Sequence, residues 1–233
     1  LLSYRPEDYR FVFLAAGIIG LSAAIFGLIF IKERRNDTKG MDNREGFILD
    51  FHGFDRKFYI FLILISLFTL GNSSDAFILL KASDIKLDIK DITLLWSVFN
   101  LVKGITSLIS GNLSDRFSKR VIIIVGWLIY AFVYFGFGLS TGAPQMLVLF
   151  LIYGIYFGFT EGVERAFISE IVRDENRRGT AYGLYNFAIG VTSLPSSVVF
   201  GLIWESFSPL HAFFFGGSLA LICAVGLLFL ERL

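Results

Sequence analysis

The 233 residues carry 21 Lys and Arg against 20 Asp and Glu, and the formal net charge of +1 leaves no global field that would draw a nucleic acid. Hydrophobic residues make up 55% and charged residues only 18%, with a mean hydropathy of +0.68, whereas a soluble domain is roughly a quarter charged. The charges also collect in short clusters between long apolar runs, which excludes an ordinary soluble core and points to an integral membrane protein.

The opening stretch, 1–10, is polar and reads as the tail of a loop. The first residue is Leu, and no charged region leads into a short apolar one, so no signal peptide is expected; a further segment upstream is expected instead. Seven apolar segments then reach, or nearly reach, the ~20 residues that cross a hydrocarbon core as a helix. They lie at about 11–31, 57–80, 92–113, 120–140, 145–169, 179–204 and 210–230. Each is apolar around most of its circumference, and in lipid a helix is the open-chain solution that satisfies every backbone group. The expected fold class is an all-α membrane protein of seven transmembrane helices. Glycines recur inside the segments, as between Gly17 and Gly27 and from Tyr153 to Phe159, where small residues let membrane helices approach closely. The single cysteine, Cys223, lies in the last apolar run, reads as a small apolar residue and excludes a disulfide within the chain.

Connections are short except for 32–56, which is polar, mixed in charge and reads as a hinge between two bundles; 47–51 (FILDF) reads as an amphipathic piece on the membrane surface. Orientation follows from Lys and Arg in the loops. Alternate loops hold Lys32, Arg34, Arg35, Lys39, Arg44, Arg56 and Lys57, then Arg116, Lys119 and Arg120, then Arg173, Arg177 and Arg178. The intervening set is poorer in basic residues, and 141–144 and 205–209 have none. Loops 32–56, 114–120 and 170–178 are therefore expected on the cytoplasmic side, so that the chain begins outside.

The loop after the third segment reads Gly111-Asn112-Leu113-Ser114-Asp115-Arg116-Phe117-Ser118-Lys119-Arg120. Asp115 can sit at a helix N-terminus, and Arg116, Lys119 and Arg120 can face helix C-termini or anionic headgroups. This run resembles motif A of the major facilitator superfamily: Gly111, Leu113, Asp115, Arg116, Lys119 and Arg120 match, while Ser118 stands where the family usually has Gly. The run from Arg177 through Gly179, Gly183, Tyr185 and Asn186 to Gly190 and Pro195 is similar to the entry into helix 11 of prokaryotic drug and metabolite permeases of that superfamily. Read for itself, it offers a thin glycine face for helix packing and a proline kink at mid-membrane. The resemblance implies that the seven helices are helices 6 to 12 of a twelve-helix permease. Residues 1–31 would hold the last helix of an N-terminal half, 32–56 the inter-domain loop, and 57–233 a six-helix C-terminal half-bundle of the superfamily type.

Ionisable residues at membrane depth are costly and tend to be functional. Glu161, Glu164 and Arg165 fall on one helix face by their spacing; Glu161 and Arg165 can pair, leaving Glu164 as a spare carboxylate able to load a proton. Asp75 ends the polar turn Asn72-Ser73-Ser74-Asp75, where a helix broken or loosened would expose backbone to a cavity. Lys103, one turn from Asn100, can pair with Asp75, Glu161 or Glu164. Asn186 completes the candidate substrate or proton pathway. Trp96, Trp127, Trp204, Tyr130, Tyr134, Tyr153 and Tyr156 can line a cavity, though such residues more often meet lipid or sit in the interfacial belt. His52 and His211 have no partner at metal-ligand spacing, so no metal and no cofactor is expected.

The expected function is secondary active transport of a small solute by alternating access in the cell membrane, as proton-coupled efflux of a drug or metabolite. The expected partners are the solute, protons, the lipid bilayer and the N-terminal half of the same protein, with no nucleic acid. No GxxxxGK[ST] loop exists to drive transport with ATP, and no HExxH or GxSxG motif suggests an enzyme. A seven-helix receptor is the rival; a retinal protein is excluded because 210–230 contains no Lys for a Schiff base.

Overall fold

A computed structural model describes residues 53–230 and eight helical positions between 14 and 26; the side chains of Asn112 and Asp115 lie outside that description. The rest of the expected 11–31 helix, and the surface piece expected at 47–51, also lie outside it.

Seven helices follow in order: α1 (Arg56–Gly71), α2 (Ala76–Asp84), α3 (Ile89–Arg116), α4 (Lys119–Leu139), α5 (Ala143–Ile171), α6 (Glu175–Ser206) and α7 (Pro209–Leu228). α1 and α2 are the two pieces of one span, Arg56–Asp84, so the described residues hold six helical spans long and apolar enough to cross a membrane. Their starts carry recognisable signals. The Asp174 side chain accepts from the Asn176 amide at 3.0 Å to open α6, and Pro209 occupies the first turn of α7 behind Ser208.

One expectation changes. The run 111–116 is helical, not loop: α3 continues to Arg116, and only Phe117 and Ser118 separate it from α4. Asp115 therefore occupies the last turn of α3, and Arg116 lies at the negative end of the helix dipole. Pro195 lies inside α6, which continues past it to Ser206.

α4 lies between α5 and α7, α3 packs on α5, and α1 packs on α6 and α7. The face of α4 that carries Trp127, Tyr130, Tyr134 and Phe137 is fully buried, with Tyr153 and Phe150 of α5 and Phe213 of α7 against it. These tyrosines and Trp127 form the aromatic centre of the bundle and meet no lipid. Trp96 and Trp204 are half-buried.

Close approach needs glycine at two places. A Cβ on Gly158 would run into the Thr106 side chain and come within 2.9 Å of the Lys103 carbonyl, which brings α3 and α5 together. A Cβ on Gly216 would meet the Gly71 carbonyl at 2.5 Å and the Tyr134 ring at 2.9 Å, so α7 closes against the end of α1. The glycines expected to make a packing face on α6 do not pack within this bundle: Gly179, Gly183 and Gly190 have open space beside them. Only 11% of the most apolar stretch of α3, and of α6, is buried, against 61% for α4.

The basic loops come together at one end. Lys57, Arg120, Arg173 and Arg177 line a depression of about 650 Å³ there, together with Asp55, Glu170 and Asp174. Arg177 stacks on Phe54 at 4.4 Å and donates to the Gly53 carbonyl at 2.5 Å.

Candidate functional site

The span formed by α1 and α2 is interrupted where the sequence turns polar. The Asn72 amide donates to the carbonyls of Phe68 (2.9 Å) and Thr69 (3.1 Å) and terminates α1; the Asp75 carbonyl accepts from Ile78 and Leu79 and starts α2. Between them Asn72, Ser73 and Ser74 have no helical partner pattern. Asp75 leaves its own helix end uncapped. Its Oδ1 instead accepts from the Tyr153 hydroxyl of α5 at 2.8 Å. The Tyr130 hydroxyl of α4 reaches Asn72 Oδ1 at 3.2 Å and the Gly71 carbonyl at 3.3 Å. Two tyrosines from separate helices thus hold the break in place.

A second carboxylate lies deeper. Glu164 is 7% exposed and accepts two hydrogen bonds, from Trp127 Nε1 at 3.0 Å and from the Tyr185 hydroxyl at 2.9 Å. The three residues belong to α5, α4 and α6. This carboxylate takes its two hydrogen bonds from neutral donors, with the Arg165 guanidinium close enough to act on it electrostatically, so its charge state and the packing of three helices depend on each other.

Glu161 behaves differently. It does not pair with Arg165 but with Lys103 of α3, at 2.8 Å, and both side chains are partly exposed. The one-turn separation on α5 allowed the Arg165 pair; the close approach of α3 at Gly158 supplies a nearer cation. Lys103 Nζ also lies over the Phe157 ring at 4.5 Å. Glu161, Glu164, Arg165 and Asn186 share one cavity of about 300 Å³ with Asn72, Tyr156 and Tyr185. Asp75 is not on its wall, though Lys103 lies within electrostatic reach of it. Asn100 and Asn186 each turn an amide N–H onto their own helix, at Trp96 and Tyr182, both at 2.8 Å.

Of the motif residues, Gly111 and Arg116 are exposed at the end of α3. Lys119 pairs with Glu170 at 3.1 Å, tying the start of α4 to the end of α5; Arg120 lines the basic depression. The residues that hold the carboxylates, Trp127, Tyr153 and Tyr185, were not separable by sequence from other membrane aromatics. One signal was available: Tyr130 and Tyr134, and Tyr153 and Tyr156, recur at one-turn spacing and put their hydroxyls on a single face.

An uncharacterised MFS-type transporter of Methanocaldococcus jannaschii is 29% identical over 97% of this chain and 57% of its own length. A second MFS-type transporter, from Mycobacterium tuberculosis, is 27% identical over 58% of the chain and 24% of its own length. Multidrug resistance protein 1 of Bacillus subtilis is 28% identical over 54% of the chain and 32% of its own length. The chain therefore spans about half the length, or less, of the curated relatives it matches. The rival reading as a seven-helix receptor finds no support among them. The family model described as Major Facilitator Superfamily matches residues 58–233, and with six membrane-length helical spans among its described residues this chain is a multi-pass membrane protein that belongs to that superfamily.

Proposed function

We propose that the protein is a secondary active transporter that moves a small solute by alternating access and couples efflux to inward proton flow. The carrying observation is Glu164: a buried carboxylate on the wall of a cavity, hydrogen-bonded to the neutral donors Trp127 and Tyr185, with Arg165 on the same wall and Glu161 paired with Lys103 beside it. A carboxylate so placed takes up a proton when the cavity opens to one side and releases it when the cavity opens to the other. The ion pair of Lys103 with Glu161 offsets the Glu161 charge, so that Glu164 and Arg165 together set the charge of the cavity wall. Asp75, at the broken helix, is assigned to the same solute and proton pathway.

Alternating access requires a second body opposite this one. The open faces of α3 and α6, with Gly104, Gly111, Gly179, Gly183 and Gly190 unpacked, support such a partner, and residues 57–233 are assigned to one half of the working transporter. The relative named for multidrug resistance supports efflux of a drug or metabolite. The experiment is solute flux in proteoliposomes holding the complete protein, driven by an imposed proton gradient. Glu164→Gln and Asp75→Asn are expected to uncouple flux from the gradient. Unchanged proton dependence in both variants would sink the coupling proposal.

A further inference from the structure

The break between α1 and α2 carries polar groups that the transport reading does not use. Ser73 Oγ and the Tyr134 hydroxyl are both buried, at 4% and 0% exposure, and neither has a hydrogen-bond partner. The Tyr134 hydroxyl lies within reach of Ser73, Tyr130 and Tyr153, yet makes a hydrogen bond with none of them. A buried hydroxyl left unpaired costs about 1–3 kcal/mol, so two side by side at one place call for a common partner.

The surrounding chemistry states what that partner is. The polar groups gathered at the break present oxygen: the Asp75 carboxylate with the Tyr153 hydroxyl, and the Gly71 carbonyl and Asn72 Oδ1 with the Tyr130 hydroxyl. α1 ends here with no basic residue in its last turn, so its negative dipole end is not neutralised by its own side chains. The carboxylate is turned away from the N-terminus of α2 and toward α5. Lys103, the cation within reach of Asp75, is engaged by Glu161 at 2.8 Å. Broken membrane helices use such carbonyl-rich ends for cations.

We infer that the break at 71–75 is a binding site for a small monovalent cation of sodium size, with the Ser73 and Tyr134 hydroxyls and the Asp75 carboxylate as its ligands. One carboxylate balances one positive charge, which suits a monovalent ion in a low-dielectric setting and leaves a divalent ion uncompensated. Among the described residues no group of three His, Cys, Asp or Glu could hold a metal ion, so the site is one of hard oxygens only. α7 closes one side of it, because Gly216 brings that helix against the Gly71 carbonyl and the Tyr134 ring. This inference concerns binding and does not rest on proton coupling or on the direction of transport.

The test uses the complete protein in detergent. Thermal stability and Trp fluorescence are followed while sodium chloride replaces choline chloride at constant ionic strength. Trp127 stacks on Phe68 at 4.9 Å in the last turn of α1 and so reports on the break. The wild type is expected to show a saturable sodium response, reproduced by lithium and at least tenfold weaker with potassium. Ser73→Ala and Tyr134→Phe each remove one ligand and should weaken the sodium response at least tenfold. Without sodium both should be as stable as the wild type, because each deletes a hydroxyl that is unpaired in the protein itself. A wild type indifferent to sodium overturns the proposal and assigns the hydroxyls to a bridging water. An equal response in the variants, or an equal response to choline and potassium, also overturns it. Flux driven by a proton gradient in sodium-free medium, with Glu164→Gln as its control, tests the transport reading separately.

Discussion

Glu164 joins three helices through two hydrogen bonds, and its replacement can separate its structural role from its chemical one. In Glu164→Gln the amide oxygen still accepts from Trp127 Nε1, 3.0 Å away in the wild type, and the amide N–H can donate to a Tyr185 hydroxyl turned to accept it. Both donors keep a partner, so the free energy of unfolding should change by less than about 1 kcal/mol. In Glu164→Ala both partners are lost. Hydrogen bonds between membrane helices average about 0.6 kcal/mol and reach about 1.7, so two of them account for about 1–3 kcal/mol. The void left at a site only 7% exposed adds about 1 kcal/mol more. The assay is equilibrium unfolding in mixed micelles of increasing denaturing detergent, read by Trp fluorescence. The expected result is a Gln variant with near wild-type stability and lost proton dependence, beside an Ala variant destabilised by about 2–4 kcal/mol. A Gln variant as unstable as the Ala variant, or an Ala variant within 1 kcal/mol of wild type, would refute this account of the site.

Three further outcomes follow from particular contacts. Gly158→Ala should destabilise the bundle by about 1–3 kcal/mol, because the new methyl meets Thr106. Adding Thr106→Ala should recover only part of that in the same unfolding assay, since the Cβ of residue 106 at 2.6 Å and the Lys103 carbonyl at 2.9 Å still obstruct it. Glu161→Gln breaks the ion pair with Lys103, whose side chains are 33% and 50% exposed, so stability should move by less than about 1 kcal/mol while solute flux falls. A matching fall in stability would show a structural pair instead. Lys119→Gln removes the 3.1 Å contact with Glu170 between the start of α4 and the end of α5; both side chains are partly exposed, so flux should drop with unfolding unchanged within about 1 kcal/mol.

The placing of the six described helical spans was legible because each needs ~20 apolar residues to satisfy its backbone in lipid, whatever its neighbours are. The break at Asn72–Asp75 was legible for the same reason: four polar residues in a row compete with the helix for hydrogen bonds. Helical phase also placed Glu161, Glu164 and Arg165 on one side of α5, and the cavity there confirms the neighbourhood. What phase could not settle was pairing. Glu161 had a cation one turn away in Arg165, but partner choice depends on how near α3 comes, and that is set by Gly158, a residue without a side chain. The aromatic residues were ambiguous because a tyrosine suits an interfacial belt as well as a buried carboxylate; only the crossing of α4 over α5 and α7 turns Tyr130, Tyr134 and Tyr153 inward. Local sequence by itself thus determined which segments enter the membrane and where charge is carried into it, since those depend on the solvent. Which charges meet, and which hydroxyls are left to find a partner at the broken helix, was decided by tertiary packing, since those depend on distances between helices far apart in the chain.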